Sequence, residues 1–258
     1  MTAKYSMLYP PLVERILAEE ASAKDPLKAA KTRLHQLYGA YVQGNTHKKA
    51  AALLKATNDL SEITEETIKA ILRLHDSTKE RLADLGDFYE FIAAHVCQKA
   101  SGRVETIMDL GCGFNPFSVP LMPGPLRKSL QSYHAYDIDM RTKDILNRFF
   151  SALGLPPGAD CADLALATPP EKADVAFLLK LLPVLEAQSP GRGFQLAREI
   201  NTCFLVITYP LKSLSGREKG MGRNYSAAFE RAAADGTMGQ IIAQKRFGNE
   251  LVYILRKA

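Results

Sequence analysis

Apolar residues recur at helical spacing through the first hundred positions, where glycine is sparse. One stripe runs through Leu27, Ala30, Leu34, Leu37 and Tyr41, and another through Leu82, Leu85, Phe88, Tyr89 and Ile92. This i, i+3, i+4 rhythm buries one face of a helix. Between them, residues 58–75 supply a further helix that breaks before His75-Asp76-Ser77-Thr78. The stretch Ser77 to Glu80 has capping-box form: Ser77 is expected to cap the next helix and Glu80 to reach back to it. An all-helical unit is therefore predicted over residues 1–100.

After Ser101-Gly102 the pattern changes to short apolar runs separated by turns and helices, the signature of a β/α succession with a mostly parallel sheet. Strands are expected at 106–110, 133–138, 174–179, 203–209 and 250–255, with weaker ones near 158–161 and 244–247. The last two, joined by Phe247-Gly248-Asn249-Glu250, read as a hairpin at the sheet edge. An α/β domain is predicted over residues 101–258.

A chain of 258 residues with 47% apolar and 24% charged residues can bury a full core. The longest apolar stretch, Val175 to Leu185, is broken by Lys180 and Pro183, and no basic-then-apolar leader precedes Glu14. No membrane role is expected, and the four scattered cysteines (Cys97, Cys112, Cys161, Cys203) read as reduced thiols of a cytoplasmic protein without a metal site. The net charge is +5. Residues 1–100 are nearly neutral, with 14 Lys and Arg against 13 Asp and Glu, whereas Tyr209 to Arg223 carries Lys212, Arg217, Lys219 and Arg223 against Glu218 alone. That local basic loop is either a solvated surface or a grip on an anionic partner.

The first strand runs into Asp109-Leu-Gly-Cys-Gly-Phe-Asn-Pro116. Gly111 and Gly113 allow a tight turn and a close approach of ligand to main chain. A dinucleotide turn wants a third small residue where Pro116 stands. Asp109 instead offers a carboxylate to an ammonium group, as S-adenosylmethionine would present. The next strand ends at Asp137, placed to accept from ribose hydroxyls, with Asp139 as the competing candidate. Asp163 and Leu164 follow the next strand and suit an adenine amino group and ring face. Leu179 and Lys180 end the fourth, with Gln188 two helical turns beyond; Lys180 either snorkels outward or meets an anion in the cleft. The fourth strand is followed by Lys180-Leu-Leu-Pro183, which lacks the Asp/Asn-Pro-Pro-aromatic signature of exocyclic-amine methylation. Cys112 lies inside the turn and is expected to pack. A ring nitrogen such as guanine N7 loses no proton on methylation and needs no general base.

Taken together these residues resemble the aminoglycoside-resistance 16S rRNA (guanine-N7) methyltransferases of producer actinomycetes and resistant pathogens. The motifs that carry the resemblance are RLHQLYGAY (33–41), HDSTKERL (75–82), FY (88–89), DLGCGFNP (109–116), YDID (136–139), ADL (162–164), LLKLLPVLEAQ (178–188), YPLKSLSGREKGM (209–221), NY (224–225) and GNELVYI (248–254). That family tends to have Phe where Tyr209 stands and often Ala at Gly111.

The resemblance implies a class I, Rossmann-like S-adenosylmethionine-dependent methyltransferase domain. Before it stands an all-helical subdomain that helps bind the 30S subunit and closes over the cofactor. The implied reaction methylates N7 of one guanine in decoding-site helix 44 of 16S rRNA and confers aminoglycoside resistance. It implies cofactor contacts from Tyr41, His75, Asp76, Ser77, Arg81, Gly111, Asp137, Asp163, Leu164, Leu179 and Gln188. Lys180 and Arg81 are expected to hold the target nucleotide or a nearby phosphate. Lys212, Ser213, Arg217, Lys219 and Arg223 are expected to grip RNA backbone. The expected partner is the 30S subunit and its 16S rRNA, with no DNA, and the expected state is a monomer. The rival readings are a non-catalytic rRNA-binding or assembly factor on the same fold, and a methyltransferase acting on a small molecule or another base atom.

Overall fold

The computed structural model describes residues 5–39, 44–55, 63–97, 102–211 and 221–257, the side chains of 221–226 excepted. Among the described residues six α-helices come first: α1 (Pro10–Glu19), α2 (Pro26–Leu34), which runs on into a π-turn at His35–Gly39, α3 (Thr46–Lys55), α4 (Glu65–Leu72), α5 (Asp76–Arg81) and α6 (Leu85–Val96). Asp25 and Thr64 cap α2 and α4 through their side chains.

The alternating part contains β1 (Thr106–Leu110), α7 (Gly124–Arg127), β2 (Ser132–Asp137), α8 (Met140–Ala152), β3 (Ala159–Cys161) and β4 (Ala173–Leu179). It continues with α9 (Leu182–Gln188), α10 (Arg192–Glu199), β5 (Thr202–Pro210), α11 (Met221–Ala233), β6 (Gln240–Phe247) and β7 (Glu250–Arg256). The seven strands lie in the order β3-β2-β1-β4-β5-β7-β6. The first five are parallel; β7 pairs antiparallel with both β5 and β6, and Phe247 faces Glu250 across the expected hairpin. Every expected strand is present, with β6 starting four residues earlier than its pattern suggested.

The parallel strands read as nearly unbroken apolar runs because both sheet faces are covered. Val175 and Phe177 face one cluster with Ile107 and Tyr133, while Ala176 and Leu178 face another with Met108 and Tyr253. The first cluster continues without a break into Ile68, Ile71, Phe88, Tyr89 and Ile92 of α4 and α6. Packing therefore crosses residue 100. A smaller core joins α1 and α2 through Leu12, Ile16, Leu34 and Tyr38, with Ile138 packed against it.

Two helical expectations are corrected. Leu27, placed on the buried stripe, is 45% exposed, since it sits in the first turn of α2 on the solvent side. Ser77 does not cap α5: the cap position is His75, in extended conformation and without a side-chain cap hydrogen bond. Thr78 instead closes the break, its hydroxyl donating to the carbonyls of Leu72 and His75. Glu80 turns to Lys180.

Candidate active site

Strand order reverses between β1 and β4, and ligands of open parallel sheets bind at the carboxyl ends beside such a point. The turn after β1 lies there. Gly111 and Gly113 have φ of +65° and +48°, left-handed values that disfavour any side chain. A Cβ at 111 would stand 2.9 Å from Leu181 Cδ1, and one at 113 would stand 2.8 Å from His75 Nε2. The turn is tied to β2 by Cys112 N–H donating to the Tyr136 carbonyl at 3.0 Å. Cys112 itself is buried, and burial lifts its thiol well above the ordinary range. It packs.

The Asp137 carboxylate is oriented by two backbone donors. Gly113 N–H donates to Oδ2 and Asp139 N–H to Oδ1, both at 2.9 Å. Each oxygen retains a lone pair for a further donor. Burial, with the charge of Asp139 beside it, raises this carboxyl to about 6.

Around the turn opens a pocket whose empty space, open solvent at its mouth included, is about 1030 Å³. His75, Ser77, Arg81, Gly111, Asp137, Asp163, Leu164, Leu179, Lys180 and Gln188 all line it. Asp76, the first residue of α5, does not. Tyr41, Lys212, Ser213, Arg217 and Lys219 lie outside the described residues, and Arg223 falls in the part of α11 whose side chains are not described. His75 is held neutral: burial, then the charges of His47, Arg81 and Lys180, lower it to about 4.

Sequence reasoning missed the group that organises this wall. Glu250, the first residue of β7, takes Arg81 in a bidentate pair, Nε to Oε2 at 3.0 Å and Nη2 to Oε1 at 2.8 Å. Arg81 Nη1 donates to Asn115 Oδ1 at 3.0 Å, and Arg81 is only 3% exposed. Thr208 also donates its hydroxyl to Glu250. Arg81 pairs with neither Glu80 nor Asp84. Three of its five N–H donors are thus engaged within the protein. Lys180 neither snorkels nor stands free: its Nζ lies 2.6 Å from Glu80 Oε2 and 4.0 Å from Glu250 Oε2. Its φ of +58° is the one left-handed value at a non-glycine among the described residues, held by its N–H donating to Thr208 Oγ1 at 2.9 Å. Such strain concentrates at functional sites.

Two aspartates differ from expectation. Asp109 points away from the pocket, accepting from Asn115 Nδ2 and the Tyr133 hydroxyl, both at 2.8 Å, because strand alternation turns it toward the α6 side of the sheet. Burial raises its carboxyl to about 6. Asp139, the competitor of Asp137, is fully buried and caps α8 through Arg141 N–H. It also takes hydrogen bonds from the Tyr38 hydroxyl and the Arg141 guanidinium, which joins the π-turn to the sheet. Among the described residues no group of His, Cys, Asp and Glu has the arrangement of a metal site, and no helix is long and apolar enough to cross a membrane.

The model of the family described as Ribosomal RNA methyltransferase (FmrO) matches residues 1–254. The chain belongs to that family. It is 34% identical to the 16S rRNA (guanine(1405)-N(7))-methyltransferase of Micromonospora rosea, covering 98% of this chain and 92% of that protein. It is likewise 34% identical to the enzyme of the same name from Serratia marcescens, over 98% and 94%. Among solved structures, the 16S rRNA methyltransferase RmtF in complex with S-adenosyl-L-homocysteine superposes with a TM-score of 0.83 at 32% identity, covering 98% of this chain and 93% of that one. The 16S rRNA methylase RmtB does so with a TM-score of 0.77 at 32% identity, over 100% and 94%. The FmrO-family fold here is thus shared over nearly its whole length, helices included.

Proposed function

We propose that this FmrO-family methyltransferase transfers a methyl group from S-adenosylmethionine to N7 of a guanine in decoding-site helix 44 of 16S rRNA within the 30S subunit, and so confers aminoglycoside resistance. The observation that carries the reading is the meeting of Gly111, Asp137, Asp163 and Gln188 in one pocket at the sheet's switch point, on a chain matched to rRNA methyltransferases from end to end.

The residues fit that cofactor. Asp137 offers lone pairs to ribose hydroxyls, Leu164 and Leu179 supply apolar contact to the adenosine part, and the glycine turn leaves room at the backbone. Arg81 and Lys180 line the wall where the amino-acid carboxylate and the incoming nucleotide meet, each held in place by a carboxylate, Glu250 and Glu80. When bound, the cofactor supplies an electrophilic methyl group. The protein's part is to orient donor and acceptor in line and to exclude water. His75 is a weak base, because burial lowers it to about 4, and Asp137 is committed to binding, which fits a nitrogen nucleophile that releases no proton. The base must leave its stack to enter, at a cost of a few kcal/mol. The helices of residues 1–100 and the basic loop with Lys212, Ser213, Arg217, Lys219 and Arg223 meet the RNA backbone, and the enzyme acts as a cytoplasmic monomer.

Lys180 is the side chain assigned to the target nucleotide. Lys180→Ala is expected to lower the methylation rate at least about tenfold while S-adenosylhomocysteine affinity, read by calorimetry, changes little. Unchanged turnover removes Lys180 from that role.

A further inference from the structure

α1 flanks the pocket through Leu12, and a residue of α1 that no sequence motif flagged reaches two of the lining side chains. Arg15 Nε donates to Asp163 Oδ2 at 2.6 Å, and Nη2 donates both to Asp163 Oδ1 at 3.2 Å and to Gln188 Oε1 at 3.1 Å. Its remaining nitrogen, Nη1, donates to Glu19 at 2.8 Å, and Glu19 is held in turn by Arg33 of α2 at 2.6 Å. The Arg15 side chain is 12% exposed and that of Asp163 7%. Leu12, one turn earlier on α1, lines the pocket together with Asp163 and Gln188. A planar guanidinium is suited to such a clamp, because its fork fixes the plane of the carboxylate it meets.

The clamp determines what the two side chains can still offer. Asp163 Oδ1 accepts from Arg15 and from Ala165 N–H at 3.1 Å, which uses both of its lone pairs. Oδ2 accepts from Arg15 alone and keeps one. Gln188 has Oε1 committed to Arg15, so its amide nitrogen is turned the other way; one hydrogen reaches the Val184 carbonyl at 3.3 Å and the second is left. One acceptor and one donor therefore stand at this end of the pocket, beside Leu164. Without Arg15 the amide is free to flip and the carboxylate to rotate, since the network alone sets their orientation.

We propose that Arg15 is a positioning residue that fixes Asp163 as acceptor and Gln188 as donor, so that the pocket selects a 6-aminopurine over a 6-oxopurine base. The edge of a 6-aminopurine carries an exocyclic donor next to a ring-nitrogen acceptor, the complement of this pair. A 6-oxopurine reverses both groups and sets acceptor against acceptor and donor against donor. The inference rests on the assignment of S-adenosylmethionine to the pocket and adds the source of its base selectivity.

The test is calorimetric titration of the full-length protein with S-adenosylhomocysteine and with its inosine counterpart. Wild type, Arg15→Met, which keeps the stem, and Arg15→Lys, which keeps the charge without the fork, are compared after melting curves show each folded. Wild type is expected to prefer the adenine ligand by about 100-fold or more. In Arg15→Met the adenine ligand weakens about tenfold and the inosine ligand hardly at all, so the preference contracts; Arg15→Lys falls between. Equal weakening of both ligands, or of neither, overturns the proposal, since equal loss is what general loosening of α1 produces. A wild-type protein without preference overturns the assignment of Asp163 and Gln188 to the base and the proposal with it. A wild-type protein that binds neither ligand overturns the cofactor assignment itself.

Discussion

Glu250 at the start of the last strand holds Arg81 at the end of α5 with both carboxylate oxygens, across 169 positions of sequence. Both side chains are nearly sealed from solvent, at 4% and 1% exposure. The contact ties the helical segment to the edge of the sheet where the pocket opens. The Arg81 charge, and more weakly that of Lys180, hold the Glu250 carboxyl below its ordinary range against the opposing effect of burial.

Breaking that pair strands a buried guanidinium. Glu250→Gln is expected to cost about 3–5 kcal/mol in urea unfolding, whereas Glu250→Leu combined with Arg81→Met costs much less than the sum of the single changes. Additive losses would show that the two side chains act independently.

The two glycines of the turn differ in what a methyl group would meet. Both positions impose about 1–2 kcal/mol of backbone strain on alanine. At 111 the neighbour is the end of the Leu181 side chain, which can rotate away; at 113 it is the ring of buried His75. Gly111→Ala is thus expected to lose little cofactor affinity beyond the strain, and Gly113→Ala to lose considerably more. Equal affinities for S-adenosylhomocysteine in the two variants would contradict this contact geometry.

Asp137 makes binding pH-dependent in a definite direction. Its carboxyl is lifted from 3.8 to about 6, so the folded chain holds the proton more tightly than the unfolded one. The associated stability is full below pH ~4 and is lost as pH rises through about 6. Cofactor affinity moves the opposite way, because ribose hydroxyls need the ionised acceptor, and is expected to fall as pH drops below about 6. Asp137→Asn should flatten that profile and weaken binding above pH 6 by about 1–3 kcal/mol. Asp109, raised similarly, adds to the stability trend but not to the binding one. A binding curve with the same inflection in Asp137→Asn would assign the titration elsewhere.

Much of this was legible in the sequence. Strand positions follow from short apolar runs between turns, since a strand covered on both faces leaves that signal in any context. Gly111, Asp137, Asp163, Leu164, Leu179 and Lys180 followed from strand ends, because parallel topology delivers all carboxyl ends to one edge, whereas His75, Ser77 and Arg81 of the helical segment were indicated by the resemblance alone. Arg15 and Glu250 were not legible. Each is an ordinary charge on a helix or at a strand start, and its role depends on a partner 148 or 169 residues away. Glu250 left one trace, a carboxylate heading an otherwise apolar strand inside GNELVYI. Asp139 shows the converse limit. Alternation separated it from Asp137 but did not reveal that Tyr38 and Arg141 would claim it, because that contact forms only when the π-turn docks on α8. The cap at Ser77 failed because Thr78, one residue on, takes the carbonyls of Leu72 and His75 at the break, and because Glu80 turns to Lys180, a partner 100 residues away that local pattern cannot show.

The assigned reaction is read out by supplying tritiated S-adenosylmethionine to the purified protein with assembled 30S subunits, naked 16S rRNA or small molecules, followed by chain cleavage at N7-methylguanine. Label is expected in the assembled subunit, with a single cleavage within helix 44. Label in a small molecule, at another base atom, or nowhere despite subunit binding overturns the assignment.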